Sequence, residues 1–216
     1  TCECVKARYA KLLKEQLSSV LPIADQNFSK FDMSFYSTRP DGRSGISPRE
    51  NMEYNLGECK TYAAKFSKDS PNLLLFGSTG LGKTFLSTCI AEAVSARGFS
   101  VAYDTAINIV AAYETIKFGS GDGEAAAERA ARYERADLLI IDDMGTEMGT
   151  AFTVSALYNL INNRLMAKRP MIINTNLLPE TLSEKYSPAV ASRLLGEFLP
   201  LRFFGDDIRL LKMRRT

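Results

Sequence analysis

The chain changes rhythm near residue 71. Downstream, short runs that are apolar at consecutive positions alternate with longer stretches whose apolar residues recur every three to four positions. Residues 72–76, 100–103, 138–141, 171–173 and 199–204 read as strands. Residues 83–97, 106–117, 124–135 and 152–168 read as helices, with a flexible break at 119–123. Strands that are apolar without alternation are covered on both faces, and strands separated by helices pair in parallel. The pattern predicts an α/β domain: a parallel sheet flanked by helices. Upstream, residues 5–20 predict a helix with Leu12, Leu13, Leu17 and Val20 on one side. Residues 21–48 predict an irregular linker whose aromatics, Phe28, Phe31, Phe35 and Tyr36, pack onto the domain that follows. Ser47, Pro48 and Glu50 form a strong helix start, with the helix running to about residue 66. Thr181 with Glu184 predicts a capping box for a short helix.

Composition narrows the chemistry. The 216 residues suit one domain with a short appendage, and 45% hydrophobic residues suit a folded chain. The longest apolar runs fall far short of a bilayer span, and Lys6, Arg8, Lys11, Lys14 and Glu15 interrupt any leader-like core, so a cytoplasmic location is expected. With 27 basic and 25 acidic residues, charge alone does not argue for nucleic acid. The absence of histidine excludes Ser-His and Cys-His catalysis and imidazole metal sites. Cys59 and Cys89 fall in helical patterns and read as buried thiols. Cys2 and Cys4 read as half of a four-thiolate zinc site. Because the chain starts at Thr1 rather than Met, the other half is expected upstream, and two thiolates alone do not close a tetrahedral site.

Gly77-Ser78-Thr79-Gly80-Leu81-Gly82-Lys83-Thr84 fits G-x-x-x-x-G-K-[ST] in full, between a strand and a helix. Glycines let main-chain N–H groups turn inward around phosphates, and the helix N-terminus that follows favours an anion. Lys83 is expected between the β- and γ-phosphates and the Thr84 hydroxyl on Mg²⁺; Phe85 completes the expected nucleotide-contacting run. The strand at 138–141 ends in Asp142 and Asp143. Acids at the carboxyl end of a parallel strand lie at the ligand crevice. Asp142 is the candidate magnesium ligand, with Thr84, and Asp143 the candidate to polarise water. An N-cap or turn role is the ordinary alternative for each aspartate, and Glu147 reads as a second candidate base or a surface acid.

The stretches NLLLFGSTGLGKTFLSTCIA, DLLIIDDMGTE, LYNLINNR, IINTNL, SRLLG and FFGDDIRLLK resemble, in order, the AAA+ ATPases of the bacterial replicative-helicase loader family (DnaC/DnaI type), with IstB transposition ATPases as close kin. The resemblance implies a P-loop NTPase of the ASCE type, with five parallel strands in the order 5-1-4-3-2 and a lid reduced or absent. It implies an N-terminal zinc-type module ending within residues 1–46 and an ATPase domain over 47–216. It further implies an ATP/ADP- and Mg²⁺-dependent ATPase, weak and assembly-dependent, that acts with a hexameric replicative helicase and single-stranded DNA. Asn176 would orient the attacking water, Arg193 would act as an arginine finger on a neighbouring copy, and Arg209 would act as a second sensor. The helical segment 106–135, with Lys117, Arg129, Arg132 and Arg135, corresponds to a DNA-lining element, or reads as a solvated face.

Two departures from the usual pattern matter. Asp143 stands where a catalytic glutamate is usual, a shorter reach that implies slow, switch-like turnover and that agrees with the loader family, where aspartate is common. Pro188 and Ala189 replace a Glu-Arg pair, so a second trans-acting arginine is not expected. Three other readings compete: a helper of a transposase, a small-molecule phosphotransferase, and a nucleotide-binding scaffold without hydrolysis. The N-terminal cysteines favour the loader over the transposase helper, and no arginine-rich lid supports the phosphotransferase.

Overall fold

The computed structural model describes residues 3–4, 7–9, 11–12, 26–42, 44–119 and 121–214. The apolar runs form the centre of a five-stranded, fully parallel sheet: β1 (Asn72–Gly77), β2 (Val101–Thr105), β3 (Leu138–Met144), β4 (Met171–Thr175) and β5 (Phe198–Phe203). The order is β2-β3-β4-β1-β5, as expected. Eight helices connect or flank the strands among the described residues: α1 (Pro48–Lys65), α2 (Lys83–Ala96), α3 (Ala106–Phe118), α4 (Gly123–Arg135), α5 (Ala151–Met166), α6 (Pro179–Lys185), α7 (Pro188–Glu197) and α8 (Ile208–Met213).

Strand periodicity sorts the core into two layers. Leu73, Leu75, Tyr103, Leu138, Ile140 and Ile172 pack with α1 and α2 on one face of the sheet. Leu74, Leu139, Ile141, Met171 and Ile173 pack with α3, α5, α6 and α7 on the other. Each fully buried aliphatic side chain contributes roughly 1.5–3 kcal/mol, which explains why the strands carry no polar alternation. No described helix is long and apolar enough to cross a membrane.

Helix starts follow local chemistry. The Ser47 side chain accepts from the Glu50 N–H, and Glu50 accepts from the Ser47 N–H, closing the expected capping box. The box expected at Thr181 and Glu184 does not form. Leu178 is the cap of α6, without a side-chain bond, and Pro179 begins the helix, so Thr181 falls within its first turn. Proline presets the helical φ and brings no N–H that needs a cap, so the start moves ahead of the threonine.

At the far end of α4, Arg164 is fully buried and donates to the carbonyls of Tyr133, Glu134, Ala136 and Pro170 at 2.6–3.2 Å. Burial lowers its pKa to about 10. The guanidinium thus satisfies carbonyls at the helix C-terminus that have no intrahelical donor.

Two expectations concern the N-terminal region. The helix at 5–20 falls largely outside the described residues, of which 7–9 and 11–12 are helical. The linker aromatics do pack onto the domain, more intimately than a linker requires. Residues Phe28–Lys30 and Met33–Phe35 are 3-10 turns, capped by Asn27 and Asp32. Tyr36 is part of the core beside α2.

Candidate nucleotide site

The carboxyl ends of β1, β3 and β4 meet the start of α2, which is where a doubly covered parallel sheet opens a crevice. Gly77 and Gly80 adopt positive φ, and each is close-packed as well: a Cβ on Gly77 would lie 1.9 Å from the Phe203 carbonyl oxygen, and one on Gly80 would lie 2.0 Å from the Asp207 carboxylate. Gly82, at φ 93°, caps α2 without a side chain, so the loop delivers bare N–H groups to the helix end.

Lys83 is 5% exposed and donates to the carbonyls of Gly77 (2.7 Å) and Ser78 (2.6 Å). Burial pushes its pKa down to about 8, against the opposing pull of Asp143 and Asp142. The Thr84 hydroxyl donates to Oδ1 of Asp142 at 3.2 Å. The same oxygen accepts from Asn174 Nδ2 at 2.8 Å and from the Asp143 N–H at 3.0 Å. Oδ2 of Asp142 accepts from the Tyr103 hydroxyl at 2.7 Å. Two hard oxygen donors, Thr84 and Asp142, therefore sit side by side, a donor set that suits a magnesium ion.

Asp143 lies within a β-bulge. The β3–β4 register slips between Ile141 and Met144, and Asp143 takes a φ of 50°. The bulge turns Asp143 out of the ladder to line a cavity of about 560 Å³ with Thr79, Lys83, Thr84, Asn176 and Arg209. Asn176 hydrogen-bonds the Asp143 carboxylate. Burial, and then the neighbouring Asp142, raise the Asp143 carboxyl above the ordinary aspartate range, while Lys83, Arg209 and the Asn176 bond oppose the rise.

The fold brings most of the predicted residues together. Residues 79–85 of the phosphate loop, with Asp143, Asn176 and Arg209, line one cavity, and Asp142 joins it through Thr84. Leu81 is buried in the core, and its carbonyl accepts from the Tyr36 hydroxyl at 3.1 Å. Arg193 lies half-buried on α7 and does not line the cavity. Of the zinc-type pair, Cys4 is exposed and Cys2 lies outside the described residues. Cys59 and Cys89 are buried free thiols.

Glu147 is neither a base at the cavity nor a surface acid. It is 5% exposed, accepts from the Gly145 N–H at 3.0 Å and from the Tyr186 hydroxyl, and so ties the loop after β3 to α6. Lys185 reinforces the tie by donating to the carbonyls of Gly145 and Glu147 at 2.6 and 2.9 Å. A carboxylate two residues after a glycine turn reads as exposed from sequence, because its partners come from a helix nearly 40 residues away.

Sequence reasoning missed three contributors. Asn174 interrupts an otherwise apolar strand, a signal that was available. Tyr103 reads as an ordinary aromatic strand residue. Gln26 lines the same cavity from the N-terminal segment, which carries no motif at all. On the exposed helical segment, Lys117, Arg129 and Arg135 face solvent, and the Lys117 ammonium lies 4.8 Å from the ring centre of Phe152.

Comparison with known proteins agrees with this geometry. Residues 57–197 match the family model of the IstB-like ATP binding protein. The chain is 25% identical over 185 residues to the replicative helicase loader DnaC of Escherichia coli K12, spanning 79% of this chain and 75% of DnaC. The crystal structure of the DnaC helicase loader superposes with a TM-score of 0.65 at 16% identity, covering 83% of this chain and 97% of that one. AMPPCP-bound DnaA from Aquifex aeolicus gives 0.65 at 20% identity, covering 88% and 55%. The phosphate loop, the acidic strand end and a family match over well over half its length together establish that this chain belongs to the IstB-like ATP-binding proteins, homologous to the DnaC loader and alike in fold to DnaC and DnaI.

Proposed function

We propose that the protein is an ATP-controlled switch that binds and slowly hydrolyses ATP while loading a hexameric replicative helicase onto single-stranded DNA. The observation that carries the nucleotide reading is the convergence of the Lys83 loop, the Thr84–Asp142 pair and the Asp143–Asn176 pair on one cavity. The loader reading is supported by similarity to DnaC over 79% of this chain and 75% of that protein.

In this reading the main-chain cup of residues 77–84 and the Lys83 ammonium bind the triphosphate. Thr84 and Asp142 would hold a magnesium ion, which would supply positive charge to offset that of the triphosphate. Asn176 holds Asp143 in place, and the raised basicity of Asp143 suits it to take a proton from water. That water attacks the γ-phosphorus, the bond to the bridging oxygen breaks, and ADP and phosphate leave. Arg209 sits at the cavity within its own chain, whereas Arg193 lies outside it and would reach the γ-phosphate of a neighbouring copy. Residues 1–46 would close a zinc-type module, with Cys2 and Cys4 as half its ligands, and residues 47–216 would form the ATPase domain.

The family match favours one further reading, that of a transposase helper. Capture tests the choice. With ATP present, the protein should co-purify with the carboxyl-terminal domain of a hexameric replicative helicase, and single-stranded DNA should alter its turnover. Capture of a transposase in place of the helicase would overturn the loader reading and leave the nucleotide switch intact.

A further inference from the structure

Glu147 is a buried carboxylate that neither lines the cavity nor takes part in the chemistry derived above. Burying a carboxylate is costly unless hydrogen bonds compensate it. Here they gather on one short loop. Oε2 accepts from the Gly145 N–H at 3.0 Å, and Oε1 accepts from the Tyr186 hydroxyl. Lys185 donates to the carbonyls of Gly145 and Glu147. Thr175, on β4, donates to the Met144 carbonyl at 2.6 Å. Thr146 lines the cavity and turns back to donate its N–H (3.2 Å) and its hydroxyl (2.8 Å) to the Asp143 carbonyl. Each residue from 143 to 147 is thus bonded, and the donors from outside the loop come from β4 and the end of α6.

That loop starts at a strained residue. Asp143 holds a φ of 50°, and such strain persists only where the surroundings over-determine it. Two residues on, Gly145 turns at a φ of 113°, and a Cβ there would lie 2.8 Å from the Leu177 side chain. The same bonds reach a second element. Tyr186 is the C-cap of α6, and its neighbour Ser187 caps α7 by accepting from the Val190 N–H at 3.3 Å. Arg193 is carried on α7.

We infer that Glu147 is a positioning residue for hydrolysis: with Lys185 and Tyr186 it clasps the loop 143–147 to the corner between α6 and α7, which keeps the Asp143 carboxylate turned into the cavity and sets where α7 presents Arg193. One clasp then places both the group that polarises water in a copy's own site and the arginine that this copy would lend to the next. The inference rests on the roles proposed above for Asp143 and Arg193, and it adds the residues that set them. A buried carboxylate serves such a clasp because its two oxygens bind two partners at once, one on the loop and one on the corner.

The test is single-turnover ATP hydrolysis by the full chain, with ATP affinity measured beside it. Glu147→Ala should slow hydrolysis by about 10–100-fold and leave ATP affinity within about twofold, the pattern of a misplaced reacting group. Glu147→Gln keeps an oxygen for the Gly145 N–H and gains an amide that donates to the Tyr186 oxygen, so it should recover most of the lost rate. In an Asp143→Ala background, Glu147→Ala should cost no further rate, because the two act through one group. In an Arg193→Ala background, Tyr186→Phe should likewise remove nothing more from the rise of specific activity with protein concentration. Should Glu147→Ala fail to fold, Tyr186→Phe, which removes only a hydroxyl, carries the same comparison of rate with affinity. An undiminished rate in Glu147→Ala, an equal loss of rate and affinity, or a loss that adds in full to that of Asp143→Ala would overturn the positioning role while the nucleotide site stands. Full hydrolysis by Asp143→Ala alone would instead overturn the hydrolytic reading on which the inference rests.

Discussion

Tyr103 and Asp142 are locked together across neighbouring strands: the buried phenol donates to Oδ2 of the carboxylate at 2.7 Å, which leaves Oδ1 to face the Thr84 hydroxyl. A carboxylate fixed at one oxygen cannot rotate away from the ion it is proposed to hold, and such outer partners commonly tune metal affinity by about 10–100-fold. Tyr103→Phe should therefore weaken magnesium-dependent ATP binding by about tenfold. It should also cost about 1–3 kcal/mol of stability, since a buried oxygen loses a donor. ATP titrations at several magnesium concentrations, with denaturant melts alongside, check both numbers.

Lys83 gives the site a pH dependence with a definite sign. Burial depresses its pKa to about 8, below the usual lysine value. Its contribution to folding stability is thus present above the unfolded-state pKa and is lost as pH falls through about 8. Phosphate binding needs the cation and raises the pKa again. ATP affinity should be flat below about pH 7 and fall as pH rises through 8, by up to about tenfold per pH unit, with uptake of up to one proton on binding. Calorimetry in buffers of different ionisation enthalpy measures that proton directly. Affinity unchanged from pH 7 to 9.5 would contradict the assignment of Lys83 to the phosphates.

Asp143 combines strain with chemistry. A φ of 50° is costly for any residue with a Cβ. Asp143→Ala and Asp143→Gly should both retain ATP binding and both lose hydrolysis by on the order of 100-fold or more. The glycine variant should be about 1 kcal/mol more stable than the alanine variant, because only glycine takes that φ freely. Single-turnover hydrolysis and thermal melts separate the two effects. Equal stability of the pair would mean that the turn relaxes once the carboxylate is gone.

Arg209 and Arg193 should behave as opposites. Arg209 lines the cavity of its own chain, so Arg209→Ala should weaken ATP binding at every protein concentration. Arg193 lies outside that cavity, so Arg193→Ala should leave affinity unchanged in dilute protein and remove the rise in specific ATPase activity with protein concentration. Equal loss of binding in the two variants would contradict a role for Arg193 between copies.

Arg164 holds the fold without touching the cavity. Its four carbonyl bonds span the end of α4, the start of β3 and the turn before β4. Arg164→Met fills much the same volume but orphans those carbonyls, and should destabilise the protein by about 3 kcal/mol or more, read from the denaturation midpoint. ATP affinity of the folded fraction should not change.

What the sequence made legible, and what it hid, divides by the range of the interactions. The strands, the phosphate loop and the Asp142–Asp143 end are local patterns, and each occupies the expected place. Strand β3 runs past the expected end at residue 141 because Asp142 pairs with Thr105 of β2 and Met144 with Thr175 of β4, pairings that local sequence does not encode. Glu147 was misread for the same reason: its partner Tyr186 arrives from α6. The Thr181 box failed because a proline two residues earlier starts the helix first. Asn174 and Tyr103 were missed because a single polar group in a buried strand gains meaning only when the sheet order sets it beside Asp142. The aromatics at 28–36 are expected to pack, but nothing local indicates that Phe31, Phe35 and Tyr36, with Gln26, line the phosphate cavity.

The most direct measurement compares ATP affinity with and without magnesium for wild type, Lys83→Ala and Asp142→Ala, each verified as folded by thermal melt. The account predicts that magnesium tightens ATP binding to the wild type, that Asp142→Ala binds ATP with an affinity indifferent to magnesium, and that Lys83→Ala binds it not at all. Magnesium-tightened binding by Asp142→Ala, or wild-type affinity in Lys83→Ala, would contradict it.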